Sequence, residues 1–502
     1  MSDLAEREIT STYNKIKASA GKSFAKGDYD KCLDQIELSA NIAYNFNYIY
    51  KDDYLEDLLA SLSGKMFGKS TDATVISGRF VFYDYFGMAN RGLTQQYIKA
   101  LIALDLEFMY VLENYSLKAE MILDEIKSYD KAQIVIVEPS LSLLEKIKYV
   151  YKSVLAYRPE KAFLHLHPAS VVAVTVWNAL SHVERYQINL TDHAFWLGVG
   201  CIDFSLEFRD YGCTVSFEQR GIPKEKLLLQ PFYPITDCDE FKGLPEIDKD
   251  QVMLFTGGAY YKMYGADNAF FIMLKRLLDE NPKAVIMLAG YGDANHIKNF
   301  IEGDHYESRI FFLGSRTDIN YVFQHCDIYL CTYPITGGLM CQYAALNGKP
   351  ILSYSDANIP SNDADSFLTF GENSTKITYH RPDDYFEHAK KLISNKAYRE
   401  EVGEMSRKRV IDVKSFNELL FRNLYHKESA TPIKMVKIDY DRFSSLYLEV
   451  ENNYMFSYRM LLVREFKLMA LIYFTKEMLH FKFIKAALQT VKNKLIHIFV
   501  KP

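Results

Sequence analysis

The sequence predicts an α/β fold with two doubly wound domains, and three features carry that prediction. Apolar runs of strand length alternate with helical segments from Gly78 to about residue 375. Glycine-rich turns follow several of these runs, and the two ends of the chain show helical patterning instead. Strands buried on both faces read as short continuous apolar runs, because helices cover a parallel sheet on each side. We therefore expect two Rossmann-like domains facing a cleft, with helical N- and C-terminal extensions.

The chain of 502 residues is too long for one ordinary domain. The predicted units are a helical N-terminal appendage over 1–70, a first α/β domain over 71–240, a second over 241–395, and C-terminal helices over 396–502. The N-terminal unit contains one helical hairpin of the tetratricopeptide kind. A single hairpin is too short for a solenoid, which needs about three repeats.

Composition limits the class of protein. The net charge of -5 and the 25% of charged residues give no general case for nucleic-acid binding. The seven cysteines are scattered and form no C-x-x-C pair, which predicts a reduced cytoplasmic protein without a structural zinc. The charged start and the lack of an apolar run of about 18 residues predict that the chain is neither exported by a signal peptide nor transmembrane.

Polar residues follow the strands predicted in the first domain. Ligands of doubly wound sheets bind beyond the carboxyl ends of the strands, so these residues are site candidates. They are Asp84, Asn90, Arg91, Glu138, His165, His167, Asp192 and His193.

The second domain centres on the stretch from Arg309 to Ser355, which reads as two strands, a Gly-Gly turn that opens a helix, and a third strand. Gly337 and Gly338 would let the backbone approach a ligand closely, and the free N–H groups of the helix would form an anion site. The alternative is a turn that needs glycine only for a positive φ.

The order of these motifs resembles the GT-B glycosyltransferases, particularly the bacterial enzymes that build surface polysaccharides. The matched features are a Gly loop followed by a lysine (Gly257, Gly258, Lys262), strands ending at 289–293 and 309–314, and the Gly337–Gly338 helix followed by 347–352. In the first domain, 162–173 and 186–193 are similar to paired His-bearing strand ends, and 90–101 stands where an acceptor-side glycine loop precedes a helix.

The resemblance implies a nucleotide-diphosphate sugar as donor and a set of donor-binding residues. They are Gly257, Gly258, Lys262, Arg316, Thr336, Gly337, Gly338 and Gln342. The retaining members carry two glutamates around the Gly turn, where this chain has Pro334 and Gln342. Gln342 is expected to bond the ribose hydroxyls, but the stereochemical outcome stays open.

Sugar transfer from such a donor requires neutralisation of the departing diphosphate. The three D-x-D pairs, Asp237/Asp239, Asp363/Asp365 and Asp439/Asp441, fall in predicted loops, linkers or helices and are expected to be solvated acids. We therefore expect no metal and no cofactor. Backbone donors of Thr336, Gly337 and Gly338, with Lys262 or Arg316, would supply the positive charge.

The predicted catalytic residues are His193, which can take a proton near neutral pH, and Asp192, which orients it or replaces it. The alternative for His193 is a helix cap. Asn90, Arg91 and His167 are the acceptor-binding candidates, against a plain helix N-terminus for the first two and a core position for one of the two neighbouring histidines.

The C-terminal tail carries an apolar stripe with basic flanks. Ile484, Leu488, Val491, Leu495 and Ile498 recur at helical spacing beside four lysines. This pattern favours an interfacial helix on anionic lipid, and the alternative is packing on the protein's own core.

Together these features predict a cytoplasmic, membrane-apposed glycosyltransferase that moves a sugar to a glycan or lipid-linked acceptor in capsule, lipopolysaccharide or exopolysaccharide synthesis. The alternatives are a protein glycosyltransferase, a nucleotide-sugar epimerase and a non-catalytic helical scaffold.

Overall fold

The computed structural model contains two parallel sheets with helices on their faces. It describes residues 2–46, 49–68, 74–88, 93–236, 240–292, 294–301, 306–357, 359–368 and 376–452, together with 463, 471 and 475–479. The α/β prediction, with two Rossmann-like domains and helical ends, is confirmed.

The first sheet has seven parallel strands in the order β3-β2-β1-β4-β5-β6-β7. The strands are β1 (Ile76–Asp84), β2 (Glu107–Leu112), β3 (Ala132–Ile136), β4 (Pro159–His165), β5 (Glu184–Ile188), β6 (Phe204–Glu207) and β7 (Leu227–Leu229). The strand order reverses between β1 and β4. The sequence predicts five of these strands clearly and treats residues 213–241 as a short α/β unit and linker, so β6 is missed.

The helices of this domain are α4 (Thr94–Ala103), α5 (Glu120–Lys127), α6 (Leu143–Tyr157), α7 (Val171–Ala179) and α8 (Asp210–Glu218). A capping box between Ser142 and Glu145 begins α6 and satisfies backbone donors there. Almost every residue of α7 is buried, which explains its uniform hydrophobicity.

The second sheet has six strands in the order β10-β9-β8-β11-β12-β13 and reverses between β8 and β11. The strands are β8 (Val252–Ala259), β9 (Ala284–Tyr291), β10 (Ile310–Gly314), β11 (Ile328–Leu330), β12 (Ile351–Tyr354) and β13 (Thr378–Tyr379). Its helices are α9 (Ala269–Glu280), α10 (Asn295–Ile301), α11 (Ile319–His325), α12 (Gly338–Leu346) and α13 (Pro382–Ser394).

The helical ends of the chain pack on the two domains. The N-terminal helices are α1 (Ser2–Ala25), α2 (Tyr29–Phe46) and α3 (Asp53–Phe67), and the C-terminal ones are α14 (Lys396–Arg407), α15 (Val413–Tyr425) and α16 (Tyr440–Asn452). Asp52 caps α3 and also accepts hydrogen bonds from Tyr13 and Lys17, which ties α3 to α1. The N-terminal helices share one apolar core with one face of the first sheet.

The last described turn, Thr475–Met478, returns to that core, where Met478 is buried. The predicted membrane stripe from Ile484 to Ile498 lies outside the described residues. Within the described part of the chain, no helix is both long and apolar enough to cross a bilayer.

Candidate active site

The larger of two adjoining cavities lies where the second sheet reverses its strand order, the usual ligand position in such sheets. It measures about 550 Å³. Its floor comes from Gly257 and Gly258 at the end of β8 and from the first turn of α12. Lys118 and Met121 line it from the first domain, so both domains contribute to its wall.

Different physical constraints explain why each of the two positions that open α12 is a glycine. Neither has a positive φ, which excludes the turn-conformation explanation. A Cβ on Gly338 would lie 2.4 Å from Phe367, so close packing requires glycine there. A Cβ on Gly337 would meet nothing nearer than 3.5 Å and would point toward Lys262 Nζ at 3.8 Å. Gly337 therefore keeps open the space between the helix N-terminus and this lysine.

Lys262 lies in the wall shared by both cavities. Burial lowers the pKa of its ammonium group. Within the described ranges, no carboxylate or carbonyl bonds its Nζ. A desolvated cation without an anion, beside the free N–H groups at the start of α12, makes an anion site.

The smaller cavity, of about 240 Å³, adjoins the first and shares Lys262, Gly338 and Leu339 with it. Its other side carries Asp192 and His193, from the loop that follows β5. The two predicted catalytic residues and the predicted anion site thus line the same cavity.

Asp192 holds His193 from one side and Arg209 from the other. Its Oδ1 lies 3.2 Å from His193 Nδ1, and its Oδ2 accepts a hydrogen bond of 2.5 Å from Arg209 Nε. Burial alone would raise the pKa of Asp192, but the charge of Arg209 and the hydrogen bonds lower it to about 2. An ionised carboxylate only accepts, so His193 Nδ1 donates in this contact, and Nε2 is the other ring nitrogen.

Comparisons with known proteins agree with this architecture. No family model and no curated protein matches the chain. Among solved structures, a mutant O-GlcNAc transferase of Thermobaculum terrenum is similar at a TM-score of 0.51 and 12% identity, over 89% of this chain and 83% of that one. HepE of Anabaena with UDP and glucose is similar at 0.51 and 15%, over 69% and 99%. A glycosyltransferase of Rickettsia africae is similar at 0.51 and 12%, over 71% and 98%.

The chain has the GT-B fold. The resemblance drawn from the order of motifs is thereby confirmed at the level of fold. The glycine pairs, Lys262 and the His193 loop line the cleft between the two GT-B domains.

Three predicted donor residues of the GT-B cleft have other roles. Gln342, predicted to bond the ribose, lines neither cavity, because its side chain lies on the buried face of α12 and donates to the Phe367 carbonyl. The Thr336 N–H donates to Asn362 Oδ1 at 3.2 Å, which removes it from the anion donors. Arg316 lines the larger cavity, but its guanidinium donates hydrogen bonds of 2.7 and 2.6 Å to the carboxylate of Asp318, which neutralises its charge.

The acceptor-side predictions have a mixed outcome. Asn90 and Arg91 lie outside the described residues. His167 lines neither cavity but stacks on Tyr85 with ring centres 4.9 Å apart, and burial lowers its pKa to about 4. His165 is the core histidine, with Nδ1 3.1 Å from Asp84. Asp84 also accepts from Phe86 N, Gly87 N and Thr94 Oγ1, so it organises the start of the loop after β1.

A buried polar network that sequence reasoning missed supports the His193 loop. The guanidinium of Arg220 donates to the carbonyls of Thr191, Asp192 and Ala194. Glu207, fully buried, accepts from Asn189 and Ser216 and faces the charge of Arg220. These groups come from β5, β6 and α8, and only the folded sheet brings them together.

The N-terminal helices also reach this loop. Glu56 of α3 accepts the Gly198 N–H at 2.7 Å and bonds the next two backbone N–H groups as well. Burial outweighs these bonds and raises the pKa of Glu56 to about 7. The N-terminal unit is therefore part of the support for the His193 loop.

Three aspartates of the described D-x-D pairs have structural partners. Asp365 pairs with the buried Arg409 at 2.9 Å, and Asp363 accepts from the Asp365 N–H, so this pair is not solvated as expected. Asp439 caps the first turn of α16 through Arg442 N. Asp237 and Asp239 lie outside the described residues. Among the residues that are described, no three Asp, Glu, His or Cys side chains cluster as metal ligands.

Proposed function

We propose that the protein is a glycosyltransferase that moves a sugar from a nucleoside-diphosphate donor to a hydroxyl of a glycan or lipid-linked acceptor in surface-polysaccharide synthesis. One observation carries the proposal: the wall shared by the two cavities contains Lys262 and the start of α12. A diphosphate bound there has room for its nucleoside on one side and for its sugar, next to His193, on the other.

The larger cavity takes the nucleotide in this proposal. The N–H groups of Gly337 and Gly338 and the ammonium of Lys262 bind the diphosphate. The rim beyond them contains the exposed ring of Tyr291 and the segment from Ser315 to the first turn of α11, which offer an aromatic face and polar groups to the base and ribose. Lys118 adds a second cation from the first domain.

The smaller cavity takes the transferred sugar and the acceptor hydroxyl. The acceptor oxygen forms a bond to the anomeric carbon while the bond from that carbon to the diphosphate oxygen breaks. The electron pair of the broken bond leaves with the nucleoside diphosphate, whose charge Lys262 and the α12 N-terminus stabilise. The acceptor proton passes to His193 Nε2.

Asp192 and Arg209 prepare the base for this step. The carboxylate fixes the ring orientation and stabilises the imidazolium that proton uptake creates, as a buried acceptor does in other triads. Arg209 in turn bonds Ser361 O at 2.9 Å and stacks on Phe367, both in the second domain. Closure of the two domains and alignment of the base are therefore coupled through Arg209.

The charge neutralisation proposed here uses only backbone donors and lysine, so donor binding should survive chelation of divalent metals. The experiment measures nucleotide release from a panel of nucleotide sugars with and without glycan acceptors, in EDTA. Acceleration of release by an acceptor, with a glycosylated product, supports a transferase. Release or donor isomerisation that needs no acceptor indicates the epimerase alternative, and no donor binding indicates a scaffold.

A hydroxyl side chain of a protein is the second candidate acceptor. The likeness to the O-GlcNAc transferase extends over 89% of this chain, against 69% for HepE, and so includes more of the helical ends. The acceptor panel should therefore contain a serine- and threonine-rich peptide beside the glycans.

A further inference from the structure

A segment near the C-terminus, residues 434–446, crosses from the first domain to the second, and we refer to it as the strap. Its first part is bonded to α8. Lys434 N donates to Asp210 Oδ1 at 2.9 Å, Val436 N to Thr214 Oγ1 at 3.0 Å, and Tyr440 OH to Glu218 Oε2 at 2.7 Å. The apolar side chains Val436, Ile438 and Tyr440 pack on Tyr50 and Tyr211 beside these bonds.

The second part of the strap lies on the second domain. Arg442 Nε approaches Asp356 Oδ2 at 3.4 Å. Phe443 and Leu446 form an apolar cluster with Ile359, which has no exposed surface. Helices α1 and α2 also contact α16. The strap is thus held by both domains and by the N-terminal helices.

Phe443 is the strap residue that reaches the candidate active site. It lines the smaller cavity, it is 5% exposed, and it lines no part of the larger one. Its neighbours in the strap bond to α8, which directly follows Arg209, and to the loop that leads into Ser361 and Asn362. Phe443 shares the lining of the smaller cavity with Arg209 of the first domain and Ser361 of the second.

We propose that Phe443 is a specificity-determining residue that restricts the acceptor end in the smaller cavity to a single sugar residue. This inference rests on the proposed transferase function and adds the size class of the acceptor. The donor sugar stays close to Lys262 and Gly338 because it is attached to the diphosphate. The space bounded by Phe443 therefore belongs to the acceptor, and packing against Ile359 and Leu446 keeps the ring from moving aside.

The test compares wild-type protein with Phe443→Ala and Phe443→Leu. Nucleotide release is measured with UDP-sugars in water alone, with p-nitrophenyl monosaccharides, and with the matched p-nitrophenyl disaccharides. We expect Phe443→Ala to raise the disaccharide-to-monosaccharide ratio of kcat/KM by about tenfold or more, a size typical of changed pocket volume. Phe443→Leu should give a smaller rise, because leucine removes less of the side chain than alanine does.

Leu446→Ala is the matched control, because Leu446 lies one turn further along the strap, is buried against the same Ile359, and lines neither cavity. It should loosen the strap equally and leave the ratio unchanged. An unchanged disaccharide-to-monosaccharide ratio in both Phe443 variants overturns the inference. A change of the same size in Leu446→Ala also overturns it, and so does a rate of nucleotide release that no acceptor accelerates. Nucleotide binding by calorimetry separates these results from failure of the proposed function, since a protein that binds no donor fails there first.

Discussion

The Nδ1 atom of His193 lies 3.2 Å from the Oδ1 atom of Asp192, its neighbour in the chain. Adjacent residues in a strand point to opposite sides, so this contact depends on the turn that the chain makes after β5. Arg220 holds three carbonyls of that turn, and Arg209 holds the other oxygen of the carboxylate. The geometry of the proposed base is thus determined by buried groups around it.

Replacement of His193 by alanine should lower turnover with little effect on nucleotide affinity. General base catalysis contributes typically 10²–10⁴-fold, and the residue lies outside the larger cavity. Steady-state rates with calorimetry of donor binding check this prediction. His325→Ala, at an exposed position of α11, is the control and should behave as wild type. Normal turnover in His193→Ala would remove His193 from the mechanism.

Glu56 should make stability depend on pH in a defined direction. Its pKa is raised from 4.5 to about 7 in the folded protein, so the folded state binds this proton more tightly than the unfolded chain. The contribution of this group to the free energy of unfolding is then fully present below about pH 4.5 and declines as the pH rises to about 7.

Chemical denaturation of wild type and Glu56→Gln across pH 5–7 measures the effect. The glutamine variant should show a less steep decline, because it has no proton to lose, while Glu225→Gln on an exposed turn serves as control. A decline of the same slope in Glu56→Gln and wild type would show that Glu56 does not retain its proton in the fold.

The sequence predicts well what one local segment determines. Gly337, Gly338 and Lys262 belong to motifs in which strand, turn and helix follow directly, and they meet at the switch point of the second sheet. The position of Gln342 depends on the period of the helix that begins at Gly338. Leu339, Met340 and Tyr343 share the cavity face of α12, which leaves Gln342 on the buried face.

The sequence does not predict residues whose role depends on contacts with distant segments of the chain. Arg209 bonds Ser361, Arg220 bonds Ala194 of the His193 loop, and Phe443 packs against Ile359. No periodic pattern in a single sequence predicts such contacts. Their buried charges offer only a weak signal, since arginine is usually a surface residue. The N-terminal helices were predicted as an appendage for the same reason, because only the structure shows that Glu56 bonds the backbone of the His193 loop.

The tail should bind anionic membranes through its apolar stripe and the lysines that flank it. Truncation after Leu479 keeps Met478, which packs in the first core, and removes Ile484 to Ile498. We expect the truncated protein to lose binding to phosphatidylserine vesicles in a flotation assay and to retain donor hydrolysis. Loss of soluble expression would instead show that the stripe packs on the protein.

Lys262 should give donor binding a pH dependence. Burial lowers the pKa of its ammonium, and only the protonated form attracts a diphosphate, so affinity should fall as the pH rises toward the alkaline range. Lys262→Ala should weaken binding about ten- to a hundredfold, since a charge-assisted bond contributes about 1.5–3 kcal/mol. The affinity of the Lys262→Ala variant for the donor should change little over the same pH range. Lys349→Ala, in the same domain but at its surface, is the control for both measurements.

The central claim is that the start of α12 and Lys262 bind the donor diphosphate without metal. The most direct measurement is calorimetric titration of UDP into wild type and Gly337→Val, in EDTA. Gly337 has a φ of -99°, which other residues also adopt, and a Cβ there would meet nothing nearer than 3.5 Å, whereas a Cβ on Gly338 would lie 2.4 Å from Phe367. Valine at 337 therefore adds its bulk beside Lys262 Nζ. The account predicts binding by wild type and none by a cooperatively folding Gly337→Val. Normal binding by that variant, or wild-type binding that disappears in EDTA, would contradict it.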